Sequence, residues 1–327
     1  MKLNELGEFG LIERIAARVS PVAGVTMGIG DDAAAVVPTP GLLTLSTSDM
    51  LVEGIHFDLA YCDPLTLGRK SLAVNLSDIA AMGGKPRWFL LSLALPRELH
   101  TEFLDSFIDG MLQLAREFDV TLIGGDTCAS GAGVVISITV LGEQRPELVV
   151  KRSGARPGDM LFVTGTLGDA SLGLELLRHG KRDNLPAKRH LDPSPRVREG
   201  AALACAGLPT AMIDLSDGLL ADLGHILDNS GVGARLEVGR LPLSDSFLEY
   251  SSTLAGDPLL FPLSGGEDYE LLFTAPASKE TAVREIMAQL STQVTLIGAI
   301  TSARGITALA PDGADYSALR RGYNHFA

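Results

Sequence analysis

Apolar residues recur at helical spacing near the start of the chain and in extended runs through the rest of its first half. Phe9, Ile12, Ile15, Ala16 and Val19 recur at a helical spacing, which predicts an amphipathic helix. Runs rich in apolar and β-branched residues predict strands at 33–37, 42–47, 88–95, 121–123 and 134–141, with a helix at 100–118.

One helix has clear signals at both ends. Asp63 supplies an N-cap and Pro64 a first-turn proline, and the helix is expected to run to about Met82. Gly83 and Gly84 then end it. Helices that alternate with strands in this way indicate a mixed α/β fold.

A change in composition near the middle of the chain indicates a domain boundary. Residues 142–158 are rich in charged residues, Gly and Pro, so we place one domain at 1–145 and a second at 146–327. The stretch 179–196 contains three prolines and resembles a loop or lid. In the second domain we expect helices at 169–179, 197–206, 217–229 and 279–290, and strands at 160–164, 211–213, 234–238, 269–274 and 293–297.

Composition narrows the possible classes of protein. With 327 residues, 46% of them hydrophobic, the chain can bury the cores of two domains. A net charge of −13 disfavours nucleic acid or an anionic membrane as the main partner. Three cysteines without a CxxC pair exclude a disulfide scaffold or a thiolate zinc site. The sequence shows neither a signal peptide nor a membrane-spanning stretch, so we expect a soluble, cytoplasmic protein.

Aspartates embedded in apolar or glycine-rich sequence are the most unusual feature of the chain. Burying an ionised carboxylate is costly unless the group is paired or bound to a metal, and almost no Lys or Arg lies beside these residues in sequence. Neighbouring hydroxyls complete a set of hard oxygen ligands that suits Mg²⁺. The acidic residues are Asp31, Asp32, Asp49, Asp78, Asp126, Asp214, Asp217, Glu267 and Asp268, and the hydroxyls are Thr47, Ser48 and Ser216.

Each aspartate taken alone also has a structural explanation. An Asp after Gly, such as Asp126, is about as often a turn or N-cap residue as a ligand. Ser216 is a natural N-cap, and Asp217 would then lie in the first turn of a helix, where the helix dipole favours it. Asp78 follows a helical apolar run, where an exposed face is its only inexpensive structural role. The conjunction of all these residues favours a metal site.

The sequence lacks the phosphate-binding motifs of several large families. It contains neither a GxxxxGK[ST] loop nor the HRD and DFG motifs of protein kinases. Residues 28–33 match GxGxxA, but two carboxylates occupy the place of a dinucleotide pyrophosphate, so we reject a Rossmann site. Gly124 and Gly125 could instead bring backbone N–H groups close to a phosphate while Asp126 holds a bridging metal.

Three further positions stay open on the residues alone. His56 lies between apolar residues, where a satisfied structural histidine is more typical than a ligand. Arg152 is either a solvated charge at the domain boundary or a phosphate clamp. Tyr323 is either a packing residue or an aromatic surface for a flat ligand.

Taken together, these blocks resemble one family. Eight blocks occur in the same order as in bacterial thiamine-monophosphate kinases, and they span essentially the whole chain. They are GIGDDAAAV, STSDMLVEGIHF, AVNLSDIAAMGG, LIGGDT, KRSGARPGD, AMIDLSDGLLADLGHI, SGGEDYEL and GYNHF. The resemblance implies a two-domain aminoimidazole ribonucleotide synthetase-like fold of the α/β (α+β) class. Its N-terminal domain would bind ATP and Mg²⁺ and form a homodimer through a β-barrel. Its C-terminal α/β domain would complete the nucleotide and substrate site.

The same resemblance implies a reaction and a set of site residues. The γ-phosphoryl group of ATP would pass directly, in line, to thiamine monophosphate, giving thiamine diphosphate and ADP without a covalent nucleophile. Met50 stands where typical relatives carry Thr, and its role stays open. Several Mg²⁺ ions would be held by Asp32, Thr47, Ser48, Asp49, Asp78, Asp126, Asp214 and Asp217. Gly125, Asp126, Arg152 and Ser216 would contact ATP, and His56, Glu267 and Tyr323 would contact thiamine monophosphate.

Elementary electrostatics explains why such a reaction needs metal ions. A phosphate acceptor is already an oxyanion, so a strong general base is unnecessary. The obstacle is repulsion between the reactants, since two like unit charges 4 Å apart repel by ~4 kcal/mol at an effective dielectric near 20. Divalent cations between two polyanions remove this barrier, and positioning then supplies the catalysis.

Two alternatives remain at this point. The first is another ATP-dependent enzyme of the same superfamily, such as a cycloligase resembling aminoimidazole ribonucleotide synthetase. The second is a catalytically silent nucleotide-binding scaffold, which would bind Mg-ATP without turnover on any phosphate acceptor. The presence of every expected metal carboxylate disfavours the second.

Overall fold

Two compact units make up the chain. The computed structural model describes residues 1–20, 22–254, 256–310 and 312–316. The first unit comprises Met1–Ile79 and Gly84–Pro146, and the second comprises Ala80–Gly83 and the chain from Glu147 onward. Across the described residues, no helix has both the length and the apolar character needed to cross a membrane.

The first unit is a four-stranded sheet covered by long helices. Its sheet has the strand order β3-β6-β4-β5, in which β4 and β5 are parallel and the other pairs antiparallel. A separate two-stranded ribbon pairs β1 with β2. The helices are α1 (Leu3–Ala16), α2 (Pro64–Ala81) and α3 (Thr101–Glu117), and the strands are β1 (Val25–Met27), β2 (Ala35–Val36), β3 (Leu43–Val52), β4 (Lys85–Pro96), β5 (Thr121–Ser130) and β6 (Val135–Gln144).

Helix α2 begins and ends where its sequence predicts. The Asp63 side chain accepts the backbone N–H of Thr66 at 3.0 Å, which is the expected N-cap bond. Gly83, at φ +70°, ends the helix in the left-handed region that favours glycine. A Cβ at Gly68 would lie 1.9 Å from the Phe107 carbonyl oxygen, so α2 and α3 approach more closely than any residue other than glycine would allow at position 68. This contact fixes the helix that carries Asp78.

Two predictions in the first unit need correction. Phe9 is 79% exposed, whereas α1 buries Leu3 and Leu11 together with the expected Ile15. Strand β5 does not end at residue 123. It continues through the Gly-Gly-Asp segment, whose backbone pairs with β4, so these residues lie in a strand.

The second unit is a six-stranded sheet that packs against helices. The strand order is β12-β9-β11-β7-β10-β8, with β12 and β9 parallel and the other pairs antiparallel. Its main core includes Leu161, Val163, Ile213, Leu223 and Ile226, all at most 1% exposed. The helices are α4 (Asp169–Arg178), α5 (Leu185–Leu191), α6 (Val197–Cys205), α7 (Leu219–Ser230), α8 (Asp245–Ser251), α9 (Leu260–Ser264) and α10 (Glu280–Gln289). The strands are β7 (Asp159–Thr164), β8 (Ala211–Asp214), β9 (Gly233–Glu237), β10 (Leu271–Pro276), β11 (Val294–Thr301) and β12 (Gly305–Leu309).

The expectation of a loop or lid at 179–196 is wrong for its central part. This segment contains α5, which begins with Asn184 as N-cap and Pro186 in its first turn. Asn184 Oδ1 accepts the Ala187 N–H at 2.8 Å. The helix packs tightly against α4, since a Cβ at Gly173 would lie 2.1 Å from the Pro186 carbonyl oxygen. Proline therefore marks a helix start here rather than an irregular loop.

Candidate functional site

One carboxylate pair in the first unit links strand β3 to helix α2. Thr47 and Asp49 point to the same side of β3, because alternate residues of a strand share a face. The Thr47 hydroxyl donates a short hydrogen bond to the Asp78 carboxylate. The Asp49 backbone N–H donates to Oδ1 of the buried Asn75 at 3.0 Å. Strand and helix thus hold two aspartates close together and half-buried.

The proximity of these two carboxylates changes the acidity of Asp49. Burial raises the pKa of Asp49 to about 6, and repulsion from the Asp78 carboxylate adds to this effect. Above that pH the fold maintains two neighbouring negative charges in a poorly hydrated place. A bound divalent cation would remove this cost, which is the behaviour expected of a metal site.

Ser48 and Asp126 lie on the other face of the same sheet. Across the sheet, Asp126 shares one register row with Ser92, Ser137 and Met50, so these side chains lie on one face. Asp49 is next to Met50 on β3 and pairs with Ile138, so its side chain lies on the opposite face. Asp126 is also on the opposite edge strand, three strand spacings or roughly 14 Å across the sheet. Within one copy of the unit, the sheet therefore does not bring Asp126 to the Asp49–Asp78 pair.

Of the remaining predicted site residues of the first unit, Asp32 and His56 lie in connections, and Gly125 lies in β5. Asp32 is exposed in the loop between β1 and β2, and its N–H donates to the Asp31 carboxylate at 2.9 Å. His56 Nδ1 accepts the Val52 N–H at 3.0 Å, so the ring is anchored to the end of β3. Gly125 is required by packing, since a Cβ there would lie 1.7 Å from the Leu91 carbonyl oxygen.

The loop that carries Ser216 and Asp217 in the second unit is shaped by one buried carboxylate. Asp222, 2% exposed on α7, accepts the backbone N–H groups of Ser216, Asp217 and Gly218, each at 3.1 Å, through one oxygen. Helix α7 begins at Leu219 with Gly218 as N-cap. The structural alternative that Ser216 caps this helix and that Asp217 lies in its first turn therefore does not hold, because both residues precede the cap and Asp222 accepts their N–H groups.

Three acidic residues surround this loop. Burial raises the pKa of Asp222 to about 8, and repulsion from Asp214 and Asp217 adds to it, although the N–H bonds oppose the shift. Asp214 is 3% exposed at the end of β8. Oxygens of Asp217 and Asp222 and a ring nitrogen of His225 lie within 4.8 Å of one another. The second unit thus has its own concentration of negative charge.

The Glu267 loop is tied directly to the Ser216 loop. The Glu267 N–H donates to the Ser216 carbonyl at 2.9 Å, and the Tyr269 N–H donates to the Leu215 carbonyl at 2.9 Å. Glu267 itself has φ +69°, an unusual backbone conformation for a residue other than glycine. A Cβ at Gly266 would lie 2.3 Å from the Ser216 carbonyl oxygen. These contacts leave the Glu267 carboxylate half-buried beside the Ser216 loop.

The neighbouring Asp268 has a structural role. Its carboxylate accepts the backbone N–H groups of Gly168 and Ala170, at 2.8 and 3.3 Å, and so caps the start of α4. Burial raises the pKa of Asp268 well above its usual value. Arg152 is exposed near the start of the second unit, and the predicted contact residue Tyr323 lies outside the described residues.

The donor chemistry at both places fits Mg²⁺. Asp49, Asp78 and Thr47 offer oxygen ligands, as do Asp214 and Asp217, and Mg²⁺ prefers oxygen and carboxylate ligands. The raised pKa values of Asp49 and Asp222 show that each cluster holds carboxylates that ionise reluctantly when no cation is bound.

Sequence reasoning missed Asp222, Asn75 and His225. Asp222 and His225 are three positions apart on α7 and both occur in the ADLGHI block, so helical spacing after Asp217 is the signal that could have found them. Asn75 lies three positions before Asp78, on the same helix, and the same spacing applies.

Comparison with known proteins places the chain in a family. Residues 30–144 match the family model of the AIR synthase related protein, N-terminal domain, and residues 156–310 match that of the AIR synthase related protein, C-terminal domain. Thiamine-monophosphate kinases from Salmonella typhimurium and Escherichia coli K12 are each 42% identical, over 98% of both chains. The Bacillus subtilis enzyme of the same name is 34% identical, over 98% of this chain and 100% of its own.

Solved structures agree with these matches. The thiamine-monophosphate kinase of Stenotrophomonas maltophilia has a TM-score of 0.84 at 38% identity, over 97% of this chain and 99% of its own. AaThiL complexed with AMPPCP and TMP has a TM-score of 0.78 at 35% identity, over 100% and 99% of the two chains. This two-domain α/β chain, with carboxylate clusters in both units, belongs to the thiamine-monophosphate kinase family.

Proposed function

We propose that this chain transfers the γ-phosphoryl group of ATP to thiamine monophosphate in a Mg²⁺-dependent reaction that gives thiamine diphosphate and ADP. The observation that carries the proposal is the Asp49–Asp78 pair, two half-buried carboxylates in a chain that matches thiamine-monophosphate kinases over nearly its whole length. AaThiL, which is 35% identical, is complexed with AMPPCP and TMP, an ATP analogue and a phosphate acceptor.

The proposed roles follow the charges and hydrogen bonds of the site. Asp49 and Asp78 provide metal ligands in the first unit, while Asp222 holds the loop that presents Ser216 and Asp217 in the second. When bound, Mg²⁺ supplies positive charge that neutralises phosphate oxygens of both reactants. The metal ligands are Asp32, Thr47, Ser48, Asp49, Asp78, Asp126, Asp214 and Asp217. ATP is contacted by Gly125, Asp126, Arg152 and Ser216, and thiamine monophosphate by His56, Glu267 and Tyr323.

The residues of the chain position the reactants rather than attack them. The acceptor phosphate is itself the nucleophile, so transfer is direct and in line and needs no covalent intermediate. The N–H groups of Ser216 and Gly218 are fixed by Asp222 before any ligand binds. These N–H groups donate to Asp222, so what the bonds contribute is a fixed loop that holds Ser216 and Asp217 in place during the reaction.

We also propose that the chain forms a homodimer through the sheet of the first unit. Strands β3 and β5 are its two edges, and Met50, on the face that also carries Asp126, is 58% exposed. Joining both edges to a second copy closes a β-barrel, which removes the open edges. It also brings the strand that carries Asp126 beside the partner copy's β3, the strand of Ser48 and Asp49. Light scattering should give a molecular mass of twice 34.4 kDa, and a fully active monomer would overturn the proposal.

A single incubation tests the proposed reaction. The purified protein is mixed with ATP, Mg²⁺ and either thiamine monophosphate or thiamine, and the products are identified by mass spectrometry. We expect thiamine diphosphate and equimolar ADP from the monophosphate and no phosphorylated product from thiamine. Phosphorylation of thiamine, or no turnover of the monophosphate although Mg-ATP binds, would contradict the proposal.

A further inference from the structure

A buried histidine contacts the Glu267 carboxylate. His190 Nδ1 lies 2.9 Å from Glu267 Oε2, and the His190 side chain is 3% exposed. The Glu267 side chain is 24% exposed, so it is partly open to solvent although it contacts the buried histidine. The imidazole and the carboxylate are therefore in direct polar contact, at the distance of an ion pair.

Helix α5 holds this histidine in a fixed place. Ala187 and His190 are buried, and the helix start is anchored by the Asn184 cap. The helix also packs closely on α4, because Gly173 leaves no room for a Cβ beside the Pro186 carbonyl oxygen. His190 is therefore rigidly positioned although it belongs to a segment that the sequence marks as irregular.

The Glu267 backbone is fixed from the other side. Its N–H bond to the Ser216 carbonyl and the tight packing of Gly266 leave only side-chain torsions to be set. A glutamate side chain with unrestrained torsions loses considerable entropy when it is immobilised by a ligand. A buried partner at 2.9 Å restricts those torsions before the ligand arrives.

We infer that His190 is a positioning residue that holds the Glu267 carboxylate in its binding orientation for the thiamine part of the acceptor. This inference rests on the proposed function. Thiamine monophosphate carries a thiazolium cation and an aminopyrimidine with N–H donors, and both complement a carboxylate. His190 acts through Glu267 and does not touch the reacting phosphates.

Steady-state kinetics with matched variants tests this role. His190→Ala should raise KM for thiamine monophosphate roughly five- to tenfold, the size expected when a prearranged side chain becomes mobile. KM for ATP and kcat should change less than twofold. His190→Asn places a polar amide near the Nδ1 position, so it keeps a polar contact for Glu267 and should restore most of the affinity. His179→Ala is the control, because Nδ1 of His179 also lies near a glutamate, Glu175 at 3.5 Å, but the side chain is 64% exposed.

A double-mutant cycle shows whether the effect passes through Glu267. Glu267→Gln alone should raise KM for thiamine monophosphate, and adding His190→Ala to it should cause little further change. Equal rises of both KM values, or an unchanged effect of His190→Ala in the Glu267→Gln background, would overturn the inference. If His190→Ala does not fold, His190→Asn and His190→Gln provide the same comparison. Absence of kinase activity in the unmodified protein would refute the proposed function instead.

Discussion

Asp49 and Asp78 show how individual residues prepare a cation site. Thr47 donates to Asp78 and Asn75 accepts from the Asp49 backbone, so neither carboxylate can move far from the other. Burial, with repulsion from Asp78 as the smaller cause, then raises the pKa of Asp49 to about 6. The residues are thus held in an arrangement that is costly without a cation and favourable with one.

The raised pKa of Asp49 predicts a pH-dependent stability in the absence of divalent cations. Between its ordinary value of 3.8 and about 6, the folded protein retains a proton that the unfolded chain has lost, so stability falls as pH rises through this window. The full effect is about 3 kcal/mol for a shift of about two units. Asp49→Asn should therefore be more stable than the unmodified protein in EDTA above pH 6, as measured by urea unfolding.

Two controls accompany this measurement. Exposed Asp183→Asn should leave the pH profile unchanged, and addition of Mg²⁺ should stabilise the unmodified protein more than Asp49→Asn. Identical pH profiles for Asp49→Asn and the unmodified protein in EDTA would contradict the account.

The three hydrogen bonds to Asp222 predict that two substitutions of this residue differ in their effect on stability. Asp222→Ala leaves the N–H groups of Ser216, Asp217 and Gly218 without this acceptor and should destabilise the protein by roughly 1–3 kcal/mol. Asp222→Asn keeps an acceptor oxygen and should retain most of the stability. Thermal unfolding of the two variants makes the comparison, and equal losses would show that the three bonds are not what Asp222 contributes.

At the level of secondary-structure elements, local signals predicted helices better than they predicted loops. Asp63, Pro64 and Gly83 are sufficient to place α2, because capping bonds join residues close in sequence. Ser216 does not cap α7, and the acceptor that holds its N–H group, Asp222, is six positions away on the following helix, where a local signal at Ser216 does not reveal it. Helix α5 was missed although Asn184 and Pro186 mark its start, because a stretch with three prolines favours a loop when the packing on α4 is not known.

The contact between the Ser216 and Glu267 loops gives a prediction at the same scale. Gly266→Ala would place a Cβ 2.3 Å from the Ser216 carbonyl oxygen, so the loops must separate. We expect a loss of roughly 1–3 kcal/mol and a raised KM for both substrates. Gly224→Ala on α7 is the matched control, because its Cβ would meet no atom within 4 Å and alanine should stabilise the helix by up to about 1 kcal/mol. An unchanged KM in Gly266→Ala would contradict the proposed coupling of the loops.

For the whole molecule, the sequence predicted the fold class and family but not the sheet register. The α/β architecture and the relation to thiamine-monophosphate kinases are confirmed by the fold and by relatives that cover nearly the entire chain. The positions of Asp49 and Asp126 on opposite faces and edges follow from the order β3-β6-β4-β5, which joins residues far apart in sequence. This strand pairing is set by tertiary packing, and local sequence patterns do not predict it.

Net charge also acts at this scale. A chain with a net charge of −13 repels both anionic substrates, so productive encounter depends on cations held by its carboxylates. In the proposed reaction, the aspartates of the first unit hold the Mg²⁺ that offsets this repulsion.

The most direct test is the rate of thiamine diphosphate formation against Mg²⁺ concentration for the unmodified protein, Asp78→Asn and Asp126→Asn. The account predicts that both variants remain folded by circular dichroism but lose transfer at millimolar Mg²⁺, by roughly a hundredfold or more, the size expected when a group that positions transition-state charge is lost. Activity like that of the unmodified protein in either variant, at the same Mg²⁺ concentration, would contradict the metal role assigned to that residue.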